Sequence, residues 1–289
     1  MWKSLSRVLA ALLAVSAPAA RAVEPTRVDI LWLGGPTMLI RFGPISILTD
    51  PVLGEGQAAF RMFDPNTGRP DGVHARVRPM PKAPRLSPDL VLLSHDHEDH
   101  LDETARGRLA GVAPFTAPAS QVAGLQSKGV RRASALRWGE TQILTREGYE
   151  VSITAAPARH STDPAAAQAL GEVNGYLITF RRGPFQRSLY WTGDSFPPDR
   201  RELLPDLLWP DLFVPHLGGV GEGGPFGRVS MAAEDALAFA RLVRPTAVLP
   251  IHHSTFSLYR EPVEVFLRAS AQEPWRTEQL SEGDVLTLR

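Results

Sequence analysis

The sequence predicts an α/β domain in which two β-sheets pack face to face with helices on both outer surfaces, four layers in all. Three observations carry this reading. Short apolar runs of strand length fall into two groups, one ending near residue 93 and one beginning near residue 141, and helix-like segments follow each. Polar side chains stand repeatedly at the ends of those runs, at Asp50, His95, His160, Asp194 and His252. The composition, 43% hydrophobic and 21% charged, is that of an ordinary globular chain with one large domain or two small ones.

At the N-terminus, Lys3 and Arg7 precede the apolar stretch Val8 to Val15, and Ala20-Arg21-Ala22 supplies a small-x-small cleavage site. This is the order of a secretory signal peptide, and the stretch is short for a membrane span. Cleavage is expected after Ala22, leaving residues 23–289 as a periplasmic or secreted domain with no stable membrane anchor. The chain has no cysteine, which excludes disulfides and lipoprotein attachment. Its formal charge of zero becomes mildly negative once Lys3, Arg7 and Arg21 are removed, and no basic run remains, so nucleic acid is not an expected partner. No protein partner can be inferred.

Val28 to Leu33, Thr37 to Phe42 and Ile45 to Thr49 read as a meander, with turn signals at Gly34-Gly35-Pro36 and Gly43-Pro44. The third strand ends at Asp50-Pro51. That acid either accepts a hydrogen bond from a metal-ligating histidine or simply starts a turn. Leu53 to Pro88 has many Gly and Pro residues and little periodicity, and reads as a long loop walling a substrate site. His74 within it reads as a surface residue.

Leu90 to Leu93 is a continuous apolar run, expected to be a fully buried strand, and it delivers the stretch Ser94 to Asp102, SHDHEDHLD, to a sheet edge. Alternate side chains of an extended segment face the same way, so His95 and His97 can converge on one cation while Asp96 and Glu98 point elsewhere. Asp99 and His100 follow where the chain turns, and can face a second. Imidazole nitrogens with carboxylate oxygens suit zinc, and less selectively manganese or iron.

Asp102 is placed to cap a helix to about Leu109, and Ala119 to Lys128 reads as a second helix. Strands are expected at Thr141 to Leu144 and Val151 to Ala155, the latter leading to His160. Gly175 to Arg181 and Ser188 to Thr192 form a hairpin ending at Asp194. Leu212 to Val214 ends near His216 and the glycine-rich stretch Gly218 to Gly227, which is no phosphate loop because no Lys-Ser or Lys-Thr pair closes it. Ala232 to Val243 is an amphipathic helix with Glu234 and Asp235 in its first turn. Thr246 to Ile251 returns as a strand with His252-His253 at its end, and a final helix and a strand near Val285 to Leu288 close the chain.

The run His95-Asp96-His97-Glu98-Asp99-His100 matches the H-x-H-x-D-H signature of the metallo-β-lactamase-fold hydrolases, and His160, Asp194 and His252 follow in the order of that superfamily's later ligands. The sequence therefore resembles that superfamily over nearly all of residues 23–289. Ile30-Leu31-Trp32-Leu33-Gly34, Ile47-Leu48-Thr49-Asp50-Pro51 and Pro250-Ile251-His252-His253-Ser254-Thr255-Phe256 are most similar to the branch of the ascorbate phosphate lactonases and N-acyl-phosphatidylethanolamine phospholipase D enzymes. The resemblance implies a four-layer αββα sandwich and two divalent cations. It places His95, His97 and His160 on one cation, Asp99, His100 and His252 on the other, and Asp194 between them. Asp50 would orient a ligand from behind, and His253 and His216 are read as possible substrate-wall residues.

Two adjacent cations of this kind activate a bridging water to hydroxide and polarise a substrate oxygen. The expected activity is therefore hydrolysis of an ester-type bond, a phosphodiester or a lactone in a small-molecule or lipid-like substrate, with Asp99 both binding metal and steering the nucleophile. The rival readings are a catalytically idle periplasmic metal-binding module and, more remotely, a true β-lactamase.

Overall fold

The computed structural model describes residues 26–82 and 86–289. The expected signal peptide lies outside them. The chain opens with β1 (Val28–Gly34), β2 (Thr37–Phe42) and β3 (Ile45–Thr49), then a small hairpin of β4 (Phe60–Met62) and β5 (Gly72–His74), and β6 (Leu90–Leu92). Next come α1 (Glu103–Leu109), β7 (Phe115–Ala117), α2 (Val122–Ser127), β8 (Ala133–Ala135), β9 (Thr141–Arg146), β10 (Tyr149–Pro157) and α3 (Pro164–Leu170). The remainder is β11 (Asn174–Arg182), β12 (Phe185–Trp191), β13 (Leu212–Val214), α4 (Ala233–Val243), β14 (Ala247–Val248), α5 (Val263–Ser270), β15 (Arg276–Thr277) and β16 (Val285–Leu288).

Among the described residues two seven-stranded sheets form, ordered β16-β1-β2-β3-β6-β7-β8 and β15-β14-β13-β12-β11-β10-β9. Strand alternation explains the layers. Val28, Ile30 and Trp32 of β1 face inward onto Ile153, Ile178 and Trp191 of the other sheet, forming the central core. Leu33 of β1, with Leu48 and Val91, faces outward onto Ala105 and Leu109 of α1 and Leu125 of α2. The second sheet presents Tyr190, Phe213 and Val248 to Phe239 and Val243 of α4 and Phe266 of α5. This is the αββα sandwich expected from sequence.

The topology gathers strand ends. β6 runs parallel to β3, and β12, β13 and β14 are mutually parallel. β10 is antiparallel to β11, which is antiparallel to β12, so β10 points the same way as β12. The C-terminal ends of β10, β12, β13 and β14 therefore meet at one edge of their sheet, where His160, Asp194, His216 and His252 follow.

Several elements differ from expectation. Leu53 to Pro88 is not one long loop, because it carries a 3-10 turn at Gly56–Ala58 and the β4–β5 hairpin. Strands of three residues are too short to register as periodicity. The helix expected at Ala119 to Lys128 begins as a 3-10 turn and is α-helical only over Val122–Ser127. The strand expected at Thr246 to Ile251 narrows to Ala247–Val248, with Ile251 bridging separately to His216. β7, β8, β15 and α3 were not anticipated. α3 had legible signals: Asp163 caps it through Ala166 N–H, Pro164 sits in its first turn, and Gly171 ends it at φ 89°. No helix among the described residues is long and apolar enough to cross a membrane.

Candidate metal centre

The loop after β6 is held from below before it offers any ligand. Ser94 N–H and Oγ donate to the two oxygens of Asp50 at 2.7 and 2.5 Å, and Asp50 also accepts from His100 Nδ1 at 2.6 Å. Asp50 sits at φ 29° and His252 at φ 61°, sparsely populated for non-glycine residues, and both lie at this centre. Gly193, immediately before Asp194, passes so close to the Ser94 loop that a Cβ there would lie 2.5 Å from Ser94 Cβ. Only glycine lets the two loops approach.

The predicted ligands come together in two groups. In the first, His160 Nε2 lies 3.2 Å from His95 Nε2 and 3.3 Å from His97 Nδ1. Two nitrogens bound to one tetrahedral zinc stand about 3.3 Å apart. The spacing fits one cation. In the second, His100 Nε2 is 3.4 Å from Asp194 Oδ2 and 3.8 Å from Asp99 Oδ2, and His252 Nε2 is 3.8 Å from both Asp99 Oδ2 and Asp194 Oδ1. Asp99 Oδ1, His100 Nε2 and His252 Nε2 are buried without a hydrogen-bond partner, an expensive arrangement unless a cation completes it. His95, His97 and His160 are spaced to share one cation, and so are His100, Asp194 and His252, a group that also takes in His216.

Electrostatics divide the two groups, since burial lowers the rings of the first, whereas at His100 burial is outweighed by Asp194, Asp50 and Asp99, which hold it well above the usual histidine range. Burial, reinforced by His160, lowers the His97 pKa to about 4, and burial with His100 and His97 holds His95 well below the usual histidine range, so both rings keep a free lone pair at neutral pH. Burial would raise Asp99, but His100 and His252 outweigh it and bring it to about 2. His252 and His100 likewise hold Asp194 well below the carboxylate range against its burial.

The neighbouring acids stay out of both donor groups, as expected, but they line the pocket above them, each paired with a cationic side chain. Asp96 pairs with Lys128 at 3.1 Å and Glu98 with Arg106 at 2.9 Å. Above the cluster opens a pocket of about 310 Å³, with Met62, Phe63, Leu170, Val220 and Val229 as apolar wall, His97, Asp99, His160 and Asp194 at its base, and Lys128 on its rim. Phe63 is in ring contact with Phe226 at 5.4 Å. Met62 and Phe63 lie in the Leu53 to Pro88 stretch expected to wall the site, although on a hairpin rather than a loop, whereas Leu170 at the end of α3, Val220 and Val229 were not anticipated.

The placing of His216 and His253 on the substrate wall is corrected. Neither lines the pocket. His216 is fully buried behind Asp194, accepting from Trp191 Nε1 at 2.6 Å and facing Asp194 Oδ1 through Nδ1 at 2.8 Å. His253 is buried against Trp32, with ring centroids 4.9 Å apart and its Nδ1 on Ser254 Oγ. Adjacency to a ligand in sequence does not decide which side of the layer a ring occupies. His74 is likewise not a surface residue, since it is buried and stacked on Phe60 at 5.2 Å.

The family model described as a beta-lactamase superfamily domain matches residues 46–253. A UPF0173 metal-dependent hydrolase of Agrobacterium fabrum is 25% identical over 262 residues, covering 90% of this chain and 99% of the relative. Among solved structures, a metallo hydrolase from the archaeon Ignicoccus hospitalis superposes with TM-score 0.65 at 20% identity, covering 91% of this chain and 99% of the other. An isothiocyanate hydrolase from Delia radicum gut bacteria gives TM-score 0.68 at 18% identity, covering 89% and 98%. At these identities the two structures speak to the fold alone.

Proposed function

The chain belongs to the beta-lactamase superfamily and is a metal-dependent hydrolase, and from that premise we propose that it uses two divalent cations, most suitably zinc, to cleave a carboxylic ester or lactone. The observation that carries the proposal is the pair of adjacent donor groups, one with three histidine nitrogens at the spacing of a shared cation and the other holding buried atoms of Asp99, His100 and His252 that have no partner. In this reading His95, His97 and His160 would hold one cation and Asp99, His100 and His252 the other, with Asp194 a ligand available to both. Two such cations supply a water acidic enough to ionise near neutrality and an electrophile for the substrate oxygen. The chain supplies the rest. Asp99 Oδ1, unpaired at the pocket base, is placed to steer the nucleophile's proton, and the apolar wall excludes bulk water from the reacting carbonyl.

The pocket favours a neutral, apolar substrate over a phosphodiester. No arginine lines it, and its one cationic side chain, Lys128, is already paired with Asp96. Met62, Phe63 and Leu170 offer instead a surface for a short acyl or alkyl group. Protein loaded with zinc, assayed on chromogenic carboxylic esters and lactones beside a chromogenic phosphodiester, is expected to turn over the first two, to lose activity with a chelator and to recover it with zinc. Full turnover in metal-stripped protein, or turnover of the phosphodiester alone, defeats the proposal. A chain that binds two cations yet turns over none of these favours an idle metal-binding module.

Export completes the proposal, on the sequence of residues 1–22. Mass spectrometry of the periplasmic fraction of an expressing cell is expected to show a chain beginning at Val23, and an uncleaved chain confined to the cytoplasm argues against it.

A further inference from the structure

We infer that His216 is a positioning residue, locked by Trp191 into one tautomer so that it fixes the rotation of the Asp194 carboxylate within the donor cluster. The inference rests on the reading of Asp194 as the bridging ligand. An indole N–H can only donate, so the 2.6 Å contact from Trp191 Nε1 requires a lone pair on His216 Nε2. A neutral imidazole with its lone pair there carries its proton on Nδ1. That nitrogen lies 2.8 Å from Asp194 Oδ1, which it therefore serves as a donor.

The charge state is fixed by the same contact. An imidazolium would set an Nε2–H directly against the indole N–H, and both rings are fully buried, so no bulk water relieves the clash. The donor to Asp194 is thus neutral. It donates to Oδ1 without cancelling the carboxylate's charge, which sets Oδ1 3.8 Å from His252 Nε2 and Oδ2 3.4 Å from His100 Nε2. With both nitrogens engaged, His216 cannot itself be a ligand, although it stands in a group whose spacing would suit one. Its ring also lies parallel to His252, centroids 4.9 Å apart and planes 5° apart, so one side chain supports two members of the centre. Its own main-chain N–H is tied to Thr192 Oγ1 at 3.2 Å, two residues before Asp194.

Two measurements on the zinc-loaded full chain test this. Nitrogen-15 spectra of the histidine rings, with His216 identified by its response to Trp191→Phe, are expected to show a neutral ring protonated at Nδ1. An Nε2-protonated ring or an imidazolium overturns the inference. Zinc affinity, read by competition with a chromogenic chelator, is expected to fall roughly 10- to 100-fold in His216→Phe and to recover in part in His216→Gln, whose amide can still donate. Trp191→Phe, which frees Nε2 and lets both tautomers form, is expected to fall between. Equal zinc affinity in the wild type and both His216 variants overturns the inference while leaving the binuclear reading intact. A wild-type chain that takes up no zinc defeats the bridging reading and the role of His216 with it.

Discussion

His160 and His252 each give their Nδ1 proton to a main-chain carbonyl, of Val229 and Leu217, both at 2.9 Å. Because a carbonyl only accepts, Nδ1 carries the proton in each ring, and the opposite nitrogen, which is the metal-binding one in a neutral ring, points into the cluster. Replacing one such donor should therefore remove a cation rather than loosen the fold. His97→Ala and Asp194→Asn are expected to cut turnover by orders of magnitude while the far-ultraviolet circular dichroism stays that of the wild type; retained activity in either contradicts the assigned roles. A different residue sets a pH response. Burial lowers the His74 pKa, with Asp64 and Asp99 opposing it more weakly. The unfolded chain then takes up a proton that the folded chain refuses once the pH drops below about 6.5, so stability declines as pH falls through that window. His74→Phe, which keeps the stack on Phe60, is expected to shallow this decline between neutral pH and about pH 5 in denaturant titrations, and an unchanged slope refutes it.

Among elements, the hairpin of β4 and β5 carries Met62 and Phe63 of the pocket wall on two strands of three residues each, too little to hold itself in place. Arg76, just beyond it, supplies the anchor. Its buried guanidinium donates to the carbonyls of Leu33 at 2.5 Å, Val52 at 3.4 Å and Arg78 at 3.1 Å, and it lies over the Phe256 ring at 5.2 Å. A buried cation satisfied by carbonyls rather than a carboxylate ties the hairpin to the end of β1 and to the segment after β3. Asn66 adds a second tie, donating to the Leu258 carbonyl and accepting from Gly221 N–H. Arg76→Met leaves buried carbonyls unpaired, and it is expected to cost roughly 3 kcal/mol in urea unfolding and to speed amide exchange across residues 56–76. Wild-type exchange there would show that the hairpin is held by other contacts.

For the whole molecule, the centre is a junction between the two sheets. His95, His97, Asp99 and His100 come from the first sheet, whereas His160, Asp194 and His252 come from the ends of β10, β12 and β14 in the second. Cations bound only by the folded state add stability by mass action, about 4 kcal/mol at a thousandfold excess over the dissociation constant. Chelation is accordingly expected to lower the melting temperature by several degrees, and adding zinc to restore it; a melting temperature indifferent to both would mean that the cations do not join the sheets.

How much of this was legible depended on length and on locality. The meander, α1 with its Asp102 cap and the hairpin of β11 and β12 were readable because each is long enough for its periodicity or turn chemistry to show. The ligands were readable because they sit in a dense motif or directly after recognisable strands. The hairpin that presents Met62 and Phe63, Leu170 on α3 and the burial of His216 were not, since nothing in the residues around them says what will be folded against them. The amino-acid order alone determined the sandwich and which donor side chains stand at its strand ends, through side-chain alternation and donor chemistry that act over a few residues. Only the tertiary structure decided which ring nitrogen faces inward, which histidine backs Asp194 and what walls the pocket, because each of those depends on a partner tens to hundreds of residues away.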